Sequence, residues 1–239
     1  MAQYIYGKNT VYQRLQSAPV EKLFLLQSKP WPEFEVLAKK EGISIAYVTK
    51  EKLDKMVQGV HQGVIAQIKE YQFAQLDDVL RHIDSAKTPL IVMCDGLEDP
   101  HNLGAILRTA DATGVDGVII GKHRSVSLTA TVAKVSVGAI ETIPVVQVIN
   151  LTQTLKDLKK KGFWVCGTDK ENAMDYRKAD FKMPLVLVIG SEGFGLSRLV
   201  KEQCDFMVAI PMVGKVTSLN ASVATGVLLY EVYAQRNPI

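Results

Sequence analysis

The stretch Leu185-Val186-Leu187-Val188-Ile189-Gly190-Ser191-Glu192-Gly193-Phe194-Gly195-Leu196-Ser197 decides the fold class. Five apolar residues run straight into a glycine-rich turn, with no polar alternation. Such a run reads as a strand buried on both faces, which is the habit of parallel sheets. A second stretch repeats the pattern: Val208-Ala209-Ile210-Pro211-Met212-Val213-Gly214-Lys215-Val216-Thr217-Ser218-Leu219-Asn220-Ala221-Ser222. In open α/β sheets, ligands sit beyond the carboxyl ends of the strands. Two such ends carry glycines, small hydroxyls, a carboxylate and an amide. Together they predict a pocket for a polar small molecule.

Further apolar runs occur at residues 90–94, 117–120, 144–148, 163–166 and 206–210. Helical patterns separate most of them, at 103–113, 129–137, 151–161 and 196–201, and 221–235 makes a final helix. This alternation predicts an α/β fold, a parallel sheet with helices on both faces. Residues 1–74 form a separate small α/β module. Its predicted helices are 9–17, 32–41 and 51–57, and its strands are 22–27, 43–48 and 63–68. Gly42 suits the residue just past a helix end. Residues 75–88 read as a linker with one short helix at 76–83, leaving 89–239 as the second domain.

The composition is that of a globular chain, with 239 residues and a net charge of +3. The charge is uneven. Residues 1–74 hold 10 Lys+Arg against 7 Asp+Glu, while residues 75–239 hold 18 of each, so the whole excess lies in the first segment. Nine of the 17 aromatic residues lie there too. Basic residues interleaved with aromatics suit an RNA-facing surface, and equally a small domain with an ordinary core and a solvated basic face. No apolar run is long enough to span a bilayer, and the first residues carry no basic-then-apolar leader pattern. Cys94, Cys166 and Cys204 are far apart and lack ligand spacing. They read as core residues of a reduced, cytoplasmic protein without a metal site.

Three motifs stand in order: Asn102 to Ala110 reads N-x-G-A-x-x-R-T-A, Ile189 to Leu196 reads I-G-x-E-G-x-G-L, and Ile210 to Ala224 reads I-P-M-x-G-x-x-x-S-L-N-x-S-x-A. This set resembles the SpoU (TrmH-like) branch of the SPOUT RNA methyltransferases. With His61-Gln62-Gly63-Val64-Ile65-Ala66, the likeness extends over nearly the whole chain, to the members that act on ribosomal RNA. The resemblance implies a SPOUT sheet with a carboxyl-terminal trefoil knot, whose crossing loops would be 190–196 and 211–221. It implies an L30e/L7Ae-like first domain that selects RNA, and a homodimer with a composite site. The implied methyl donor is S-adenosylmethionine, held by Thr168, Gly190, Ile210, Met212 and Leu219. The implied catalytic set is Arg108, Asn102, Glu192, Ser218 and Asn220, and the implied reaction is methylation of a guanosine ribose 2′-OH in 23S ribosomal RNA.

Each residue also has a plainer reading. Gly190 and Ile210 could simply end strands. Asn102 could cap the helix from Leu103 onward. Glu192 could be an acid favoured by the dipole of the helix that follows it, or an orienting partner for Arg108 or Asn220. Arg108 could pair with Asp111 on its own helix. As a catalytic group, its guanidinium is a poor base, with a pKa above about 12. A clamp on the acceptor's phosphate is therefore the favoured role, beside proton acceptance assisted by that phosphate. His101 is placed at the entrance, and His61, His82 and His123 lack catalytic context. Final-helix residues Val223, Val227, Leu228, Tyr230 and Val232 are expected to supply part of a dimer interface. Competing functions are a tRNA ribose methyltransferase and a non-catalytic RNA-binding protein. A nicotinamide-dependent oxidoreductase is excluded. After the strand at 90–94 comes Asp95-Gly96-Leu97-Glu98-Asp99, which would repel a pyrophosphate and lacks G-x-G-x-x-G.

Overall fold

The computed structural model describes residues 2–169, 173–216 and 218–238. Contacts divide the chain into two units. The first unit comprises Met1–Gln72 together with Leu128–Thr142, and the second comprises Phe73–Ser127 and Ile143–Ile239. The chain-order division expected from sequence, at 74 and 88, thus has an exception. A fifteen-residue segment from the middle of the chain packs with the first unit.

The first unit is built on a four-stranded mixed sheet. Its strands are β1 (Ala2–Tyr6), β2 (Lys22–Leu26), β3 (Ser44–Val48) and β4 (Val64–Lys69), in the order β1-β4-β2-β3. Helices α1 (Lys8–Ser17), α2 (Pro32–Lys40) and α3 (Lys50–Met56) connect them. Gly42, just after α2, has φ 67, as its position required. Strand β1 was not legible from sequence. It pairs antiparallel with β4 along its full length.

Helix α6 (Ala130–Ser136) and the following 3₁₀ turn (Ala139–Glu141) complete this unit. Val132 and Ala133 are fully buried, and Ala130 packs on the cluster of Tyr6, Phe24, Val48, Leu53 and Ile65. A polar clasp holds the segment. Arg14 Nη1 donates to Glu141 Oε2 at 2.6 Å, and the Tyr71 hydroxyl donates to Glu141 Oε1 at 2.8 Å. Arg14 also donates to the Pro19 carbonyl from Nε and Nη2. Burial, with the Glu141 charge beside it, pushes the Tyr71 phenol far above its usual range.

Among the described residues the second unit holds seven strands, all parallel, in the order β7-β6-β5-β10-β8-β11-β9. They are β5 (Leu90–Asp95), β6 (Gly117–Gly121), β7 (Val145–Val148), β8 (Trp164–Thr168), β9 (Met174–Asp175), β10 (Leu185–Gly190) and β11 (Phe206–Ala209). The two-residue β9 is too short for any sequence pattern. Central strands β5 and β10 are buried throughout except at their last residues, as the unbroken apolar runs required. On one face, Ile91, Met93, Val186 and Val188 pack against α4 (Leu76–His82), α7 (Leu151–Lys160) and α8 (Arg198–Lys201) through Val79, Leu155, Leu158 and Val200. The other face is covered by α5 (Pro100–Thr113) and α9 (Ala221–Arg236). Their buried residues include Leu103, Ile106, Leu107, Leu228, Leu229 and Val232. No helix among the described residues is long and apolar enough to cross a membrane.

Helix α9 is held at its far end by Arg236. Its guanidinium donates to the carbonyls of Phe181 (2.8 Å), Thr88 (2.7 Å) and Met183 (2.7 Å). Half-burial lowers its pKa, partly offset by Asp116.

Candidate active site

All seven parallel strands end on one edge, and the loops at β5, β8, β10 and β11 build a cavity and a polar cluster there. The cavity has a volume of about 520 Å³. Its walls come from the ends of β8, β10 and β11, the loops after them, and the first turns of α9. Thr168, Gly190, Ile210, Met212 and Leu219, the five residues read as donor-holding, all line it. Ser218 and Glu192 line it as well. The remaining described carboxylate on its wall is Asp169, which is paired with Lys201 of α8.

Gly190 ends β10 where the chain doubles back. A Cβ at this position would lie 2.3 Å from the Gly195 carbonyl carbon and 2.6 Å from the Leu196 nitrogen. Only glycine lets the 191–195 turn close onto the strand. Ser191 and Gly195 bond to each other in both directions across this turn. Asp95, at the end of neighbouring β5, accepts from the Ser197 N–H at 2.7 Å and fixes the turn's exit. Helix α8 starts after this exit, at Arg198 rather than at the expected Leu196. Asp95 is a site residue that sequence reasoning passed over. Its signal was a lone acid at the end of an apolar strand.

Beside the cavity, one residue from each motif meets the others. Asn102 Nδ2 donates to Glu192 Oε1 at 2.9 Å, and Asn220 Nδ2 donates to the same oxygen at 2.5 Å. Asn220 Nδ2 also lies 2.8 Å from Asn102 Oδ1. The Ala221 N–H points to Glu192 Oε1 at 3.3 Å. Asn220 Oδ1 caps α9 by accepting from the backbone N–H groups of Ser222 and Val223. Asn102 is 4 % exposed, so its amide needs these partners.

Two sequence expectations are corrected here. Asn102 does not cap α5. Asp99 does, by accepting from the His101 N–H at 2.8 Å, with Pro100 in the first helical position. Asn102 sits one turn inside the helix, and its amide is free to turn sideways to Glu192. Nor does Glu192 serve the helix that follows it in sequence. It sits at the amino end of α9, where its charge opposes the positive end of that helix's dipole.

Arg108 stands apart from this cluster. It lies on α5 six residues beyond Asn102, about 240° around the helix axis. It is exposed and does not line the cavity. His101 is exposed at the start of the same helix. On α9, Leu228 and Val232 are fully buried within the chain, against the expectation that they face a partner. Val223 and Tyr230 of the expected set are exposed, together with Tyr233. The three cysteines are free thiols, and burial pushes Cys94 up to about 12 and Cys204 up to about 11. Among the described residues no cluster of His, Cys, Asp and Glu has a metal-binding arrangement.

The three-motif cluster at the carboxyl edge of a parallel sheet agrees with what comparison with known proteins finds. The sequence profile of the SpoU rRNA Methylase family matches residues 89–230. The chain belongs to the SpoU family. A second profile, described as RNA 2′-O ribose methyltransferase substrate binding, matches residues 4–74. A Bacillus subtilis relative, YacO, named for the TrmH family of tRNA/rRNA methyltransferases, is 53 % identical over 99 % of this chain and 97 % of its own. Among solved structures, an AdoMet-bound rRNA methyltransferase from Sinorhizobium meliloti is similar at 26 % identity and a TM-score of 0.82, covering 97 % of this chain and 86 % of its own. The A. aeolicus TrmH/SpoU tRNA modifying enzyme is 34 % identical with a TM-score of 0.57, and covers 63 % of this chain and 76 % of its own. This SpoU member is an RNA 2′-O-ribose methyltransferase.

Proposed function

We propose that the protein transfers a methyl group from S-adenosylmethionine to the ribose 2′-OH of a guanosine in 23S ribosomal RNA, as a homodimer. The observation that carries this reading is the juxtaposition of the cavity with the Asn102–Glu192–Asn220 cluster. The cavity suits the donor. Its volume falls within the range of about 300–1,000 Å³ typical of small-molecule sites. Aliphatic walls from Ile189, Ile210 and Leu219, with main-chain groups at the strand ends, fit a flat adenine. Thr168, Ser191 and Ser218 supply hydroxyls, and the Glu192 carboxylate favours a cationic ligand.

When bound, the donor supplies a methyl group on a positively charged sulfur. The chain's own task is to hold the acceptor oxygen in line and to help its proton leave. Glu192 locks the two asparagine amides in one orientation beside the cavity, and Ser218, on the cavity wall, is left to position the acceptor ribose. Methyl transfer needs no oxyanion hole, because positive charge is lost rather than negative charge gained. Arg108 acts as a clamp on the acceptor's phosphate. Because Arg108 faces away from the cavity of its own chain, the site is completed by the Arg108 of a second copy. The exposed Val223, Tyr230 and Tyr233 supply the apolar face for that pairing. The carboxyl-terminal knot belongs to the same proposal.

Ribosomal rather than transfer RNA is favoured by coverage. The likeness to an rRNA methyltransferase spans both units, whereas the likeness to the tRNA modifying enzyme spans 63 % of the chain. Mass-spectrometric mapping of ribose methylation in ribosomal and transfer RNA, with and without the protein, tests the reading. A methyl group lost from 23S RNA supports it. Loss from tRNA alone overturns the substrate assignment, and no change in either overturns the activity. Mixing an Arg108→Ala chain with a Gly190→Ala chain tests the composite site, because partial activity should return only in the mixed dimer.

A further inference from the structure

Strand β6 ends beside β5, on the edge that carries the candidate site. Beyond it, Lys122, His123 and Arg124 are three consecutive exposed side chains. The chain folds tightly there. A Cβ on Gly121 would meet the His123 carbonyl oxygen at 3.3 Å, and Arg124 is held at φ 52. That conformation is unfavourable for any residue with a Cβ, and glycine or asparagine would make the same turn with less strain. Turn geometry alone therefore does not account for an arginine.

The turn is fixed on both flanks. The Lys122 N–H donates to the Val148 carbonyl at 2.8 Å, at the end of β7. The Val126 N–H donates to the Leu97 carbonyl at 2.9 Å, in the loop that leads into α5 and Asn102. Leu97 and Val126 are both buried. Gly96, next to Leu97, places its Cβ position 3.5 Å from Ser191 Cβ on the cavity wall. The basic turn, the α5 loop and the cavity are thus successive parts of one rim. Among the described residues neither Lys122 nor Arg124 forms an ion pair. Of the acids on this rim, Asp99 is occupied as the cap of α5, and Glu98 is exposed. Two exposed cations on a fixed backbone turn, without ion pairs among the described residues, suit an extended polyanion.

We propose that residues 122–124 bind the RNA backbone, taking phosphates that flank the ribose presented at the cavity. This rests on the reading that the protein acts on RNA. It adds an anchor on the second unit to the RNA affinity expected of the first. The test uses the full chain with the substitutions Lys122→Gln and Arg124→Gly together, and ribosomal RNA from cells lacking the protein as the probe. RNA affinity should fall about tenfold at low salt, and the slope of log affinity against log salt should shrink by about 1.4, for two single-strand phosphate contacts. Calorimetric affinity for S-adenosylmethionine should be unchanged. The melting temperature should hold or rise, because glycine relieves the backbone at 124. Arg124→Lys, which keeps the charge, should retain most of the salt slope. An unchanged RNA affinity in the folded double variant overturns the assignment. So does a weaker affinity with an unchanged slope, since that loss would not be ionic. If the wild type binds this RNA but methylates none of it, the proposed activity fails, while the binding comparison still decides the turn's role.

Discussion

Glu192→Gln is the sharpest probe of the cluster. The carboxylate oxygen Oε1 accepts from Asn102 Nδ2, Asn220 Nδ2 and the Ala221 N–H. An amide in its place keeps the shape and one acceptor oxygen, but removes the charge. Hydrogen bonds to a charged group are worth about 1.5–3 kcal/mol and neutral ones about 0.5–1.5 kcal/mol. Each of the two short bonds therefore weakens by about 1 kcal/mol. The 3.3 Å bond and the helix-end charge add only a few tenths, because Glu192 is exposed and water screens it. The total is about 2 kcal/mol. If that energy serves to hold Asn102 and Asn220 for the reaction, turnover should fall about 30-fold. Stability should fall by no more than about 2 kcal/mol, and RNA affinity should stay unchanged. Single-turnover methylation, RNA binding and urea unfolding measured on one preparation separate these effects. A variant that turns over within threefold of wild type would refute the reasoning, because the cluster would then be scaffolding alone.

Gly190→Ala should abolish donor binding by calorimetry while leaving the sheet folded, because the new methyl group meets backbone at 2.3 Å and must push the 191–195 turn away. Arg236→Ala removes three charge-assisted bonds from a half-buried position, and should cost about 3 kcal/mol. In calorimetric scans that corresponds to a melting temperature lower by roughly 6–12 °C. Arg236→Lys should recover only part of this, since one ammonium cannot span three separated carbonyls. Deleting residues 1–74 should yield an aggregating product, because Leu128, Val132, Ala133, Ala139 and Ile140 lose the unit they pack in. Light scattering of that fragment checks this, and a monodisperse product would contradict the packing. Iodoacetamide at pH 8 should leave Cys94 unmodified in the folded chain, because burial holds its thiol neutral up to about pH 12.

The strands of the second unit were legible because full burial writes itself as unbroken apolar runs. The five cavity-lining residues were legible through strand-end motifs, and they converge as expected because parallel strands end on one edge. What sequence missed was set by distance along the chain. Glu192 lies close to α8 in sequence, yet it serves α9, almost thirty residues on. The cap of α5 was misassigned although its signal was present, an aspartate followed by proline at the first helical position. Both sides of α9 are apolar, so nothing local could tell the buried Leu228 and Val232 from the exposed Val223 and Tyr230. Segment 128–142 reads as an ordinary connection between β6 and β7. Its partners, Arg14 and Tyr71, lie from about 70 to about 127 residues away.

That segment sets an order for synthesis. A ribosome delivers β1 to β4 first, but the first unit lacks α6 and Glu141 until residue 142 has emerged, 70 residues later. At elongation speeds of about 5–20 residues per second this interval is roughly 4–14 s. During it, the surface that receives Val132 and Ala133 stays open, and Arg14 lacks its carboxylate. Strands β5 and β6 are made in the meantime, but neighbouring β10 is not. Neither unit can therefore finish before the other has begun. The nascent chain passes through a stage in which two incomplete cores coexist, and a chaperone that holds exposed apolar surface has its longest opportunity there.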